Sequence, residues 1–163
     1  WICSQQGSHM DSTQNTGYLL QHLAAVLAKQ SDQVLQERLG IGFSQFKILM
    51  VLEQDPHVKQ KQIADKLGQT EASISRQIKL MHERGLLQTT ISPRNRREHL
   101  TTPTPKGMRL NQAAMRALND FHSPNFESLG DKPQIQLLEI LQQMHKFACQ
   151  PGKTGACQHP YSI

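Results

Sequence analysis

The apolar residues first recur at helical spacing between residues 16 and 39, where Leu20, Leu23, Leu27, Val34 and Leu35 form one broken stripe with Leu19 and Val26 beside it. Gly40 and Gly42 supply the exit. Ser44 reads as the cap of a second helix through Phe46, Leu49, Met50 and Leu52, which Asp55-Pro56 ends. Ile63, Ala64 and Leu67 predict a short third helix over about 60–67, broken at Gly68. Thr70 predicts the cap of a fourth, Glu71 to Arg84, terminated by Gly85.

After Gly85 the pattern changes. Leu86 to Ile91 and His99 to Thr102 are β-prone, and Ser92-Pro93-Arg94-Asn95-Arg96-Arg97 between them reads as a turn. This predicts a small hairpin with a basic tip. Pro105 suits the first turn of a fifth helix to about Phe121, with Ser123-Pro124 as the interruption. Pro133 opens a sixth, whose apolar arc of Ile135, Leu138, Ile140, Leu141, Met144 and Phe147 is wide. The fold class is therefore mainly α (α+β): a winged helix-turn-helix over about 44–104 with a two-stranded β wing. Long helices flank it, over about 16–39 and 105–149. Gly7-Ser8-His9-Met10 reads as a cleavage scar before a start methionine, so residues 1–9 are taken as a tag remnant and 10–150 as a single domain. Residues 151–163, rich in Gly, Pro and polar residues, read as a flexible tail.

Charge sharpens this picture. The net charge is +5, but residues 59–109 hold 11 Lys and Arg against 4 Asp and Glu, whereas the rest has 7 against 9. Excess positive charge confined to one stretch points to a polyanion, of which double-stranded DNA is one; a solvated surface is the competing reading. No apolar run approaches the about 20 residues of a membrane span, and no secretory signal is visible, so a cytoplasmic protein without a membrane partner is expected.

The two short helices joined through Gly68-Gln69 form a helix-turn-helix candidate. On a helical wheel Ile74, Ile78 and Met81 fall on one face of the fourth helix. Ala72, Arg76 and Lys79 fall opposite, flanked by Ser73 and Ser75. Ala72 is short enough to admit a thymine methyl. Ser73 and Ser75 suit base edges or phosphates, Arg76 can make a two-pronged contact with guanine, and Lys79 suits phosphate. The pattern also fits an ordinary exposed amphipathic helix. The tip residues Arg94, Asn95, Arg96 and Arg97 repel one another and fit a narrow electronegative minor groove, with a solvated loop as the alternative. Ser44 and Thr70 complete the expected DNA-binding set.

Several segments together resemble the multiple-antibiotic-resistance repressor (MarR) family, over residues 17–147. They are Phe43-Ser44-Gln45-Phe46-Lys47-Ile48-Leu49, Gln62-Ile63-Ala64-Asp65-Lys66-Leu67, Ser73-Ile74-Ser75-Arg76 and Glu83-Arg84-Gly85-Leu86-Leu87. Pro93-Arg94-Asn95-Arg96-Arg97 followed by Thr104-Pro105-Lys106-Gly107 is the most specific. The resemblance implies a transcriptional repressor acting as a homodimer, its first, fifth and sixth helices intertwined. Leu20, Leu23, Ile135, Leu138, Leu141 and Met144 are the expected dimer contacts. A two-fold dimer should read a pseudo-palindrome with half-sites about one helical turn apart. The family usually has aspartate where this chain has Asn95, an acid that helps hold the wing arginine, here Arg97.

The resemblance also implies control by a small aromatic or anionic effector, by cysteine oxidation or by metal. His22, Phe46, Met50 and Arg109 are candidate lining residues of a ligand cleft, each with a competing core or surface reading. Cys149 and Cys157 are a candidate redox pair. With His145 and His159 they are also zinc-competent residue types, although the spacing is not that of a finger and neither metal nor cofactor is assigned. Inert cysteines are the simplest reading. An enzyme is disfavoured: no phosphate-cradling glycine loop, nucleophile elbow or helically spaced acid pair is present. A winged helix serving protein interaction is the remaining alternative, and the basic wing and Arg76 argue against it.

Overall fold

The computed structural model describes residues 12–56, 58–92 and 95–150, with side chains described for 15–56, 58–90 and 100–150. Six helices and one hairpin follow in the order α1 (Ser12–Leu39), α2 (Phe43–Gln54), α3 (Gln60–Leu67), α4 (Glu71–Glu83), β1 (Leu87–Ser92), β2 (Asn95–Pro103), α5 (Pro105–Glu127) and α6 (Asp131–Ala148). The mainly α winged-helix expectation is met. The expected tail and tag remnant, 151–163 and 1–9, lie outside the described residues.

One core joins the C-terminal half of α1 to α2, α3, α4, β1 and α5. Leu35, Ile48, Leu49, Ile63, Ile74 and Met81 are fully enclosed in it. α1 divides in two: Ser31, Val34 and Leu35 are buried, whereas residues 15–25 are exposed throughout. At its end Gly40 takes a left-handed φ of 64°, and Ile41 turns inward to 0% exposure.

The turn α3–α4 is built locally. Gly68 adopts φ 60°, which lets the Gln69 N–H bond back to the Ala64 carbonyl at 3.0 Å. Thr70 then caps α4, its Oγ1 accepting from the Ser73 N–H at 3.2 Å. At the other end of α4, Gly85 (φ 68°) lets the Leu86 N–H reach the Met81 carbonyl at 2.9 Å. β1 and β2 pair antiparallel from Leu87↔Pro103 to Ser92↔Asn95, with a register shift between Ile91 and Ser92. Val58, just before α3, bridges to Thr101 and ties the base of the hairpin to the helical unit.

Four expectations need correction. Ser44 does not cap α2. Gly42 is the N-cap, and Asp32 of α1 accepts the Phe43 N–H at 2.7 Å while the Gln45 side chain reaches back to Gly42. An acceptor supplied by a neighbouring helix removed the need for a local one. The expected turn over residues 92–97 is shorter: Asn95, Arg96 and Arg97 stand on β2. α5 runs through Pro124 to Glu127. Proline removes only one donor, Pro124 is exposed so the bared carbonyl meets water, and the Ser123 hydroxyl donates to the Asn119 carbonyl at 2.7 Å. α6 starts at Asp131, which places Pro133 within a first turn that has no use for its N–H.

Candidate nucleic-acid interface

The expected recognition face lies on α4. Ile74, Ile78 and Met81 root it in the core at 0%, 4% and 0% exposure. Ala72, Ser75, Arg76 and Lys79 are exposed on the side facing away, and Ser73 is half-buried beneath the Thr70 cap. Neither Arg76 nor Lys79 makes an ion pair among the described residues. Both cations are exposed to solvent, and no described residue competes for them. Glu71 lies in the first turn of α4, where its carboxylate suits the positive end of the helix dipole.

Ser44 occupies a different place from the one expected. It is half-buried, and its hydroxyl lies 3.2 Å from both side-chain amide atoms of Gln69, donating to Oε1 and accepting from Nε2. The pair fixes the α3–α4 turn against the start of α2. Gln69 was not singled out from the sequence. The signal that could have found it is its place in the tight turn, where a long amide can reach back to the neighbouring helix. Thr70 remains exposed at the head of α4.

In the wing, the backbones of Asn95, Arg96 and Arg97 belong to β2; their side chains, and Arg94 altogether, lie outside the described residues. Thr89 and Thr90 on β1 are exposed, while Thr101 and Thr102 on β2 are buried. The hairpin is thus anchored at its base and projects towards its tip.

The other candidates scatter. Phe46 belongs to the core at 5% exposure and stacks on Phe43, with ring centroids 6.1 Å apart; Met50 packs half-buried against the same cluster. Both thus lie with the core, the reading that competes with a cleft for them. His22 is exposed and stacked on Tyr18 at 6.0 Å, and Arg109 is exposed on α5. Leu20 and Leu23 on α1, and Ile135, Leu138, Leu141 and Met144 on α6, are all exposed. Tyr18, Leu19, Ile140 and Phe147 extend the same apolar surface, and α6 has no buried residue. Cys149 is half-buried immediately after α6, its N–H bonded to the His145 carbonyl at 2.9 Å, whereas Cys157 and His159 lie outside the described residues. Among the described residues no group of three His, Cys, Asp or Glu could hold a metal, and no helix is long and apolar enough to cross a membrane.

Comparison with known proteins places this geometry. The sequence model of the MarR family matches residues 39–98, from the end of α1 to β2. A candidate transcriptional regulatory protein for the hcr operon of Thauera aromatica is 24% identical over 134 residues, covering 80% of this chain and 78% of that protein. The structure of CouR from Rhodococcus jostii RHA1 bound to p-coumaroyl-CoA superposes with a TM-score of 0.71 at 23% identity, covering 89% of this chain and 99% of that one. The transcriptional repressor CouR bound to a 23-mer DNA duplex gives 0.72 at 24% identity, covering 88% and 99%. At such identities the structural likeness establishes the fold.

Proposed function

We propose that the chain is a repressor of the MarR family, whose sequence model matches residues 39–98, and that it binds a pseudo-palindromic operator as a homodimer through its winged helix-turn-helix. One observation carries the reading: α4 is held by its buried face and its Thr70 cap, and presents Ala72, Ser75, Arg76 and Lys79 with no ion-pair partner for the two cations among the described residues. Arg76 reads guanine, Ala72 meets a thymine methyl, and Lys79 and the serines hold phosphate. Arg94, Arg96 and Arg97 of the wing enter the adjacent minor groove. The repressor CouR bound to duplex DNA, a structural relative, is consistent with this use of the fold.

The dimer follows from the apolar side chains of α1 and α6, which one protomer leaves in water. A small aromatic or anionic effector shifts the spacing of the two winged units and releases the operator. The relative CouR, bound to p-coumaroyl-CoA, offers a precedent for such an effector. Selection of bound duplexes from random DNA, followed by titration at several salt concentrations, tests the reading. A defined palindrome should emerge, and log affinity should fall with log salt at about −0.9 per neutralised phosphate. Binding without sequence preference, or none, refutes it.

A further inference from the structure

The C-terminal end of α4 is tied to two other helices by their cations. Arg84, the C-cap of α4, donates from Nη1 to the carbonyl of Gly40, the residue just past the end of α1, at 2.8 Å. Lys106, in the first turn of α5, donates from Nζ to the carbonyl of Arg84 itself, also at 2.8 Å. Each cation thus meets the carbonyl-rich, negative end of a neighbouring helix, α5 to α4 and α4 to α1. The same corner is closed by Thr104, whose hydroxyl donates to the Gly85 carbonyl at 2.7 Å.

α1 and α5 belong to the dimer frame of the proposed function, on which this inference rests, and α4 is its recognition helix. Arg84, Gly40 and Lys106 are all exposed. Charged contacts at a surface contribute little to stability. Their consequence is geometric: they set the direction in which α4 leaves the frame. In a two-fold dimer any error in that direction appears twice, as a change in the separation of the two recognition helices. We propose that Arg84 and Lys106 are positioning residues that hold α4 at a fixed angle to α1 and α5, and so determine which half-site spacing the dimer accepts.

The test uses the full chain, the operator duplex selected from random DNA, versions of it with one base pair inserted or deleted between half-sites, and a duplex carrying one half-site. One base pair moves the half-sites by about 3.4 Å along the axis. Wild type should reject the altered spacings. Arg84→Ala and, independently, Lys106→Met should bind the original spacing more weakly and narrow the discrimination between spacings by at least about fivefold, the lower end of coupling between linked sites. Affinity for the single half-site and the urea midpoint should stay near wild type, and Arg84→Lys, which keeps a cationic donor for one carbonyl, should restore the discrimination. Wild-type discrimination in both variants overturns the proposal, as does an equal loss on every duplex including the half-site. A wild type that discriminates while the variants do so equally removes only this inference. A wild type that binds no duplex specifically removes the operator reading and this inference with it.

Discussion

A Cβ placed on Gly107 would lie 2.1 Å from the carbonyl oxygen of Leu86. The first turn of α5 therefore rests directly on the backbone leaving α4, where Thr104 N–H also donates to that carbonyl at 3.0 Å. Glycine is required by the approach of two backbones. Gly107→Ala must push α5 off the base of the wing, at a cost of about 3 kcal/mol, the upper range for overpacking. Urea denaturation measures this, and a midpoint equal to wild type would show that the entry of α5 can shift freely.

Asn111, fully buried on α5, donates from Nδ2 to Oε2 of Glu53 on α2 at 2.7 Å, and its Oδ1 has no hydrogen-bond partner among the described residues. Asn111→Asp replaces the donor with a second carboxylate. Burial and the like charge of Glu53 both favour the protonated acid, so the new group's folded pKa lies above its unfolded value. Stability is then lost as pH rises through that folded pKa and regained as pH falls below the unfolded one. The expected deficit is about 3–5 kcal/mol at pH 7, the cost of an uncompensated buried charge. Urea midpoints across an acidic to neutral series check the sign; a deficit that grows on acidification contradicts it.

The parts legible in the sequence were those with local causes. The span of α3 matched because Gly68 breaks it, and Thr70 caps α4 as read because a threonine hydroxyl reaches the N–H three residues on. The misread parts have tertiary causes. Asp32, eleven residues before Phe43, took over the role assigned to Ser44, freeing Ser44 for Gln69. Phe46 and Met50 have the composition of a pocket wall and of a core alike, and only tertiary packing shows that they lie with the core cluster. Arg84 was visible only as part of a family-like string, since nothing in its neighbours tells that its guanidinium meets a carbonyl 44 residues away.

Arg76 and Lys79 share the exposed side of α4 but should separate in assay. A guanidinium that reads guanine distinguishes sequences, whereas an ammonium on phosphate does not. Arg76→Ala should weaken operator binding by about 1–3 kcal/mol and random duplex by much less. Lys79→Ala should weaken both alike and reduce the salt slope by about 1. Fluorescence anisotropy on both duplexes gives the comparison, and equal losses for Arg76→Ala on the two would assign it to the backbone.

α6 supplies no residue to the core of its own chain, yet Ile135, Leu138, Ile140, Leu141, Met144 and Phe147 are between 39% and 67% exposed on it. Full burial of each such side chain contributes roughly 1.5–3 kcal/mol, so a partner's matching surface supplies a driving force the single chain cannot. Because the core lies elsewhere, truncation before Pro133 should leave the winged unit folded and remove the association. Leu138→Glu with Leu141→Glu should do the same without shortening the chain, one helical turn apart on the same face. Sedimentation at micromolar concentration should show a dimer for the full chain and a monomer for both variants. Operator affinity should collapse with it, because the second half-site is no longer held at high effective concentration by the first. Half-site affinity should persist, since α4 and its cap are untouched. Dimeric variants that still bind the operator at full strength would assign association to α1 and α5 alone, and leave the apolar surface of α6 to another partner.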